Sequence, residues 1–113
     1  MPKYLFIYRS VPDPAKDTPN PEQLQAIMAE WGVWFEKVGA AVVDGGDGLL
    51  PTGKVVHPQG TVTDGPFVES KEIVGGYSIL QANSYEEAVE LAKSCPICHG
   101  GGTIEIRELA GFG

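Results

Sequence analysis

One short stretch of the sequence concentrates side chains that could transfer a proton. Asp64, Glu69, Lys71 and Glu72 fall within nine residues, in a segment that begins Asp64-Gly-Pro-Phe67. A carboxylate held against apolar walls has a raised pKa and can act as a general base, with an ammonium as its charge partner. The alternative is a solvated turn, in which Asp64 bonds its own backbone and Lys71 pairs with a neighbouring acid. The residues alone leave both interpretations open.

A second cluster holds both cysteines, in Cys95-Pro-Ile-Cys98-His99. The pattern matches covalent haem attachment, and its three donors also suit part of a zinc site with His57 as a distant fourth ligand. A redox-active pair would open a helix, where the dipole lowers the thiol pKa, but this pair follows a predicted helix. We therefore interpret Cys95 as packing at the helix end, with Pro96 ending the helix, and expect no metal and no cofactor.

The composition is that of a globular protein and argues against several partners. Apolar residues make up 42% and charged residues 20%, and 113 residues correspond to one domain over 1–113. Acidic residues outnumber basic ones by 15 to 8, and this net charge of −7 disfavours nucleic acid and anionic membrane surfaces. No apolar run approaches the ~18 residues of a membrane span, and Tyr4–Tyr8 is too short for a signal segment. We expect a cytoplasmic protein with reduced thiols.

Hydrophobic periodicity predicts the elements that position these clusters. Asn20 with Gln23, and Ser84 with Glu87, have the spacing of helix-capping residues. The predicted helices are 21–38 and 85–94. The predicted strands are 3–9, 40–43, 73–80 and 103–108, with a hairpin at 54–57 and 60–63 and a glycine-rich loop at 44–53.

The order of these elements predicts an α+β fold. With the hairpin treated as an insertion, the chain reads βαββαβ, the ferredoxin-like arrangement. Strand 3–9 is apolar on both faces and is therefore expected to be central. Two helices cover only one face of a sheet, so we expect a second copy of the chain to cover the other in a homodimer.

Several motifs resemble those of the YCII-related domain family, in particular its DGPF subgroup. They are Asp64-Gly-Pro-Phe67 and the following Gly75-Gly-Tyr77, with Tyr4–Tyr8 in the first strand, Cys95-Pro96 after the second helix and Glu105–Arg107 in the last strand. The resemblance implies a ferredoxin-like subunit of a dimeric α+β barrel. Some relatives are lyases or isomerases that act on small aromatic or lactone-like compounds through a His and an acid, and others associate with sigma-factor proteins.

Our functional hypothesis is a dimer that binds such a small organic molecule and performs acid–base chemistry on it. Segment 20–25 lacks the His that the catalytic relatives carry early in the first helix, and His99 is the nearest substitute. The candidate catalytic residues are Asp64 or Glu69 as the base, Lys71 as the charge partner and His99 as the acid. The candidate substrate-binding residues are Tyr8, Trp34 and Phe67.

The rival hypothesis is a non-catalytic ligand-binding or regulatory module. In it, Glu69 and Glu72 form interface ion pairs with Lys71, which fix geometry without chemistry. Most of the 15 Gly and 9 Pro begin, end or bend the predicted elements, and they predict a glycine-lined site region.

Overall fold

The protein is described here from a computed structural model, which describes residues 1–11, 19–65 and 72–112. These residues form a four-stranded antiparallel sheet, a separate two-stranded sheet and three helices. The strands are β1 (Lys3–Ser10), β2 (Val42–Gly48), β3 (Gly53–Val56), β4 (Val62–Gly65), β5 (Ile73–Gln81) and β6 (Thr103–Glu108). The helices are α1 (Pro21–Val38), α2 (Tyr85–Lys93) and α3 (Pro96–His99), and a 3-10 turn at Gly39–Ala41 joins α1 to β2.

The main sheet has the strand order β2-β5-β1-β6, and each adjacent pair is antiparallel. This mixed α+β arrangement is consistent with the ferredoxin-like fold that the sequence predicts. Strand β1 is central, as its apolar character on both faces indicates. The strand is irregular at Gly75-Gly76, because the β1–β5 register shifts where Tyr8 pairs with Gly76 and Arg9 pairs with Val74.

The two faces of β1 lie in different surroundings. Tyr4, Phe6 and Tyr8 are buried on the face that packs against the helices. Leu5 and Ile7 point to the opposite face and are only half-buried. The core between sheet and helices is completed by Trp34, Val38, Leu80, Ala82, Ala88, Ala92 and Cys95.

Helix α1 begins and ends where its sequence signals predict. Asn20 Oδ1 accepts the backbone N–H of Gln23 at 2.8 Å, and Gln23 Oε1 accepts that of Asn20 at 3.0 Å, which completes a capping box. The apolar stripe of the helix is buried only in its second half. Met28, which the helical spacing places on the same apolar stripe, is 66% exposed.

Three sequence-based expectations about local structure are wrong. Residues 44–48, expected to be a loop, continue strand β2. The paired strands β3 and β4 lie at Gly53–Val56 and Val62–Gly65, so Asp64 and Gly65 belong to a strand and not to a turn. Pro96 does not end a helix but begins α3, because α2 already ends at Lys93. Among the described residues, no helix is long and apolar enough to cross a bilayer.

Candidate functional site

A cavity of about 470 Å³ lies between the helix-facing side of the sheet and α1. Its volume is typical of small-molecule sites in proteins, which span roughly 300–1,000 Å³. Its described lining residues come from β1, β2, β5, α1 and α3: Tyr8, Ser10, Trp31, Phe35, Gly45, Gly46, Asp47, Gly48, Gly75, Gly76, Tyr77, Ser78 and Ile97.

Glycines allow β2 and β5 to approach closely at the cavity. Gly46 has φ of 69°, and a Cβ at this position would lie 1.8 Å from the backbone oxygen of Tyr77. A Cβ on Gly76 would lie 2.9 Å from the backbone oxygen of Asp47. A side chain at either position would displace the strands, so the shape of this wall depends on glycine.

Two aspartates stabilise the irregular path of β2. Asp44 Oδ1 accepts the backbone N–H of Gly46 at 2.8 Å, and Asp47 Oδ1 accepts the backbone N–H of Gly48 at 2.7 Å. The β2–β5 register shifts around both aspartates. These carboxylates thus satisfy backbone donors that the strand ladder leaves unpaired where β2 bulges.

A chain of hydrogen bonds crosses three strands beside the cavity. The Tyr8 hydroxyl donates to Ser78 Oγ at 2.8 Å, and Ser78 Oγ donates to the carbonyl oxygen of Gly45 at 2.7 Å. Ser78 is fully buried. Burial raises the pKa of the Tyr8 phenol well above its ordinary value, and the hydrogen bond with Ser78 offsets only part of that rise. Tyr8 is therefore a neutral phenol at physiological pH.

Aromatic rings form the apolar side of the cavity. The ring of Tyr8 meets Trp31 edge to face, with centroids 5.0 Å apart, and Trp31 lies 6.0 Å from Phe35. Their positions on α1 follow from spacing, because residues 31 and 35 lie one helical turn apart on the same face. The backbone at Gly45, Gly46, Gly48, Gly75 and Gly76 forms the other side of the cavity, called the glycine wall below. The arrangement can hold a flat apolar molecule between α1 and this wall.

The structure separates the candidate catalytic and binding residues predicted from sequence. Of the three proposed pocket walls, Tyr8 lines this cavity. Trp34 and His99 instead line a groove of about 490 Å³ between α1 and α3. Asp64 lies on β4, exposed, in an ion pair with Lys54. The candidates Phe67, Glu69 and Lys71 lie outside the described residues.

The two cysteines differ in environment. Cys95 is fully buried, as predicted, but it lies between α2 and α3 as the N-cap residue of α3, whereas Cys98 is exposed. Burial raises the pKa of the Cys95 thiol to about 11, the opposite of what a reactive thiolate requires. Within residues 1–11, 19–65 and 72–112, no three His, Cys, Asp or Glu side chains are grouped as a metal site.

Sequence reasoning anticipated a glycine-lined site but missed most of its side chains. Ser78 sits in an apolar strand pattern and was not singled out, although a serine alternating with apolar residues indicates a polar group facing the core. Trp31 and Phe35 lie on the apolar face of predicted helix 21–38, and helical spacing alone does not separate a site residue from a core residue there. Asp47 lies in the predicted glycine-rich loop 44–53, and its glycine neighbours alone indicate a glycine-lined site.

Two comparisons with known proteins bear on this site. Residues 3–112 match the family model of the YCII-related domain. A search of curated proteins finds no match. The match spans nearly the whole chain and includes every described residue that lines the cavity.

Proposed function

The chain belongs to the family of YCII-related domains, and we propose that it binds a small aromatic or similarly flat organic molecule in the cavity between α1 and the glycine wall. The observation that carries the proposal is the pairing of two unlike walls. One wall is aromatic, from Tyr8, Trp31 and Phe35, and the other is backbone exposed by glycines of β2 and β5.

The apolar wall provides the binding energy in this proposal. Burying apolar ring surface contributes about 25 cal/mol per Å². The edge-to-face pair of Tyr8 and Trp31 and the buried core behind them hold the rings in place before a ligand arrives. Little side-chain entropy is then lost on binding.

The glycine wall determines shape. Because Gly45, Gly46 and Gly48 carry no side chains, a flat molecule can lie directly against the backbone of β2. An unsaturated lactone ring, such as that of coumarin, is also flat and fits the same slot. The shape of the cavity therefore selects ligands by their thickness more than by the type of ring that they contain.

Binding without catalysis is the function that the described residues support best. Asp47 is the carboxylate among the described lining residues, and it already accepts a backbone N–H. Asp64 and His99 do not line this cavity. The lyase or isomerase hypothesis rests on Glu69 and Lys71, which lie outside the described residues.

A thermal-shift screen with indole, phenol, 2-naphthol and coumarin tests the binding proposal. We expect at least one compound to raise the melting temperature. Gly45→Ala should abolish this shift, because its Cβ would enter the cavity 4.0 Å from Phe35 without backbone strain. Gly32→Ala is the matched control, since a Cβ there meets nothing within 4 Å and Gly32 lies outside the cavity. Absence of a shift with every compound, or an unchanged shift in Gly45→Ala, would contradict the proposal.

We also propose that two copies pair through the open face of the main sheet, as in a dimeric α+β barrel with the β3–β4 hairpin as an insertion. Leu5 lies opposite Ile79, and Ile7 lies opposite Tyr77, so four half-buried apolar residues are contiguous at the centre of that face. Contiguous exposed apolar residues commonly mark interaction sites, and a two-fold contact uses the same patch on both copies.

Sedimentation at micromolar concentration tests this pairing. We expect twice the mass of one chain for the wild type and a single-chain mass for Ile79→Lys, which places a charge in the centre of the patch. Val33→Lys, on the exposed side of α1, is the control and should remain dimeric. A single-chain mass for the wild type would refute the dimer.

A further inference from the structure

The hydrogen-bond chain beside the cavity has a fixed direction. Gly45 contributes a carbonyl oxygen, which can only accept, so Ser78 must donate its single hydroxyl hydrogen to it at 2.7 Å. Ser78 Oγ then has only lone pairs to offer Tyr8, so the phenol must donate its own single hydrogen at 2.8 Å. The direction follows from counting hydrogens and needs no observed hydrogen positions.

This direction leaves the Tyr8 oxygen as a pure acceptor toward the cavity. Its hydrogen is committed to Ser78, but a phenol oxygen can still accept a hydrogen bond from another molecule. Burial keeps the phenol protonated, because it raises the pKa of Tyr8. The same burial makes an unmet acceptor costly, so a ligand that supplies a donor is favoured.

The glycine wall does not act as an anion-binding nest either. Runs of backbone N–H groups in glycine-rich segments commonly bind phosphate or carboxylate. Here the N–H of Gly46 is taken by Asp44 and that of Gly48 by Asp47. The Asp47 carboxylate itself lines the cavity and repels anions.

We propose that the cavity selects flat molecules that carry an N–H or O–H donor, neutral or cationic, and rejects aromatic carboxylates and donor-free analogues. Tyr8 is the specificity-determining residue. Ser78 is the positioning residue, because it accepts the Tyr8 hydrogen and so makes the Tyr8 oxygen an acceptor toward the cavity. The inference rests on the proposed binding function and adds the ligand's chemical class. Ser10 and Tyr77 are also among the residues that line the cavity, so the test isolates Tyr8.

The test compares indole, benzofuran and benzoate, with dissociation constants measured by chemical-shift titration of the full chain. Indole and benzofuran have the same size and shape but differ in an N–H donor against an oxygen acceptor. We expect wild-type protein to bind indole about three- to tenfold more tightly than benzofuran, the range of one hydrogen bond. Benzoate should bind more weakly than both.

Two variants locate the preference. Tyr8→Phe removes the acceptor, and the indole-to-benzofuran ratio should fall to about one. Ser78→Ala frees the Tyr8 hydrogen to donate into the cavity, so the ratio should fall and shift toward benzofuran. Tyr85→Phe is the matched control, because the Tyr85 hydroxyl accepts from the backbone of Glu108 outside the cavity, and its ratio should equal that of the wild type.

The outcomes separate the two proposals. If none of the three compounds binds, and none of the thermal-shift compounds does either, the proposed binding function is overturned and this inference with it. If indole and benzofuran bind equally to wild type, if benzoate binds best, or if Tyr8→Phe keeps the wild-type ratio, this inference alone is overturned. The wild-type ratio and Ser78→Ala decide the matter even where Tyr8→Phe fails to fold.

Discussion

The indole Nε1 of Trp34 donates to the backbone oxygen of Leu91 at 3.0 Å, across 57 positions of sequence. This bond joins α1 to α2, and Trp34 itself is almost fully buried in the core. The indole therefore satisfies a carbonyl and fills core volume at the same time.

We expect Trp34→Phe to lower the free energy of unfolding by about 2–4 kcal/mol. The substitution removes the indole donor of the Leu91 carbonyl, which keeps only the long 3.5 Å bond from Ser94 Oγ, and it removes ring volume from the core. Urea denaturation followed by circular dichroism measures the loss. Val33→Ala, next to it on the exposed side of α1, should change stability by less than about 0.5 kcal/mol; a similar loss in both variants would contradict this explanation.

Two neighbouring glycines should differ widely in how much stability an alanine substitution costs. Gly46→Ala combines a φ of 69° with a Cβ 1.8 Å from the Tyr77 backbone oxygen, so β2 must detach from β5. We expect a loss of at least about 3 kcal/mol. Gly45→Ala meets only Phe35, at 4.0 Å, and should cost less than about 1 kcal/mol. Equal melting temperatures for the two variants would refute this account of the strand.

Stability should fall in moderately alkaline solution because of Cys95. Burial raises the pKa of its thiol from 9.0 to about 11. Since the unfolded state loses this proton first, the contribution is fully present below pH 9 and is lost as pH rises toward 11. The expected loss is about 2–3 kcal/mol across that interval.

Cys95→Ala isolates this effect. Between pH 9 and 10, below the range in which Tyr8 begins to contribute, the variant should show a flatter dependence of unfolding free energy on pH than wild type. Cys98→Ala removes an exposed thiol and should retain the wild-type slope. Identical slopes in wild type and Cys95→Ala would exclude Cys95 as the source.

Asp64→Asn should have little effect on the fold. Its carboxylate pairs with Lys54 on exposed strands, and exposed ion pairs contribute about 0–1 kcal/mol. We expect a stability change under about 0.5 kcal/mol and unchanged ligand shifts in the thermal screen. Loss of ligand binding in Asp64→Asn would instead restore the sequence-based hypothesis that Asp64 belongs to the site.

Elements whose ends are marked by nearby residues could be predicted from the sequence with their observed bounds. The predicted bounds of helix 21–38 agree with those observed, because Asn20 and Gln23 form its N-terminal cap and Gly39 follows its last residue. The last strand, 103–108, was also predicted with its observed bounds from its strict alternation. Both patterns are complete within one short window of sequence.

Long-range contacts determine the parts that the sequence did not predict. Strand β2 contains three glycines and no periodic pattern, and it is extended because β5 pairs with it. The cavity depends on bonds from Ser78 to residues 33 and 70 positions away. An amphipathic pattern shows which side chains of α1 share a face, but it does not show that nothing described covers Met28.

Strand β2 is an edge strand with two register irregularities, and it forms one wall of the cavity. Edge strands with few buried side chains undergo local opening at lower free energy than the sheet they border. Amide hydrogens of β2 should therefore exchange with solvent faster than those of β1 and β5. A ligand lying against this strand would slow that exchange, so a weakly protected edge strand would report directly on occupancy of the cavity.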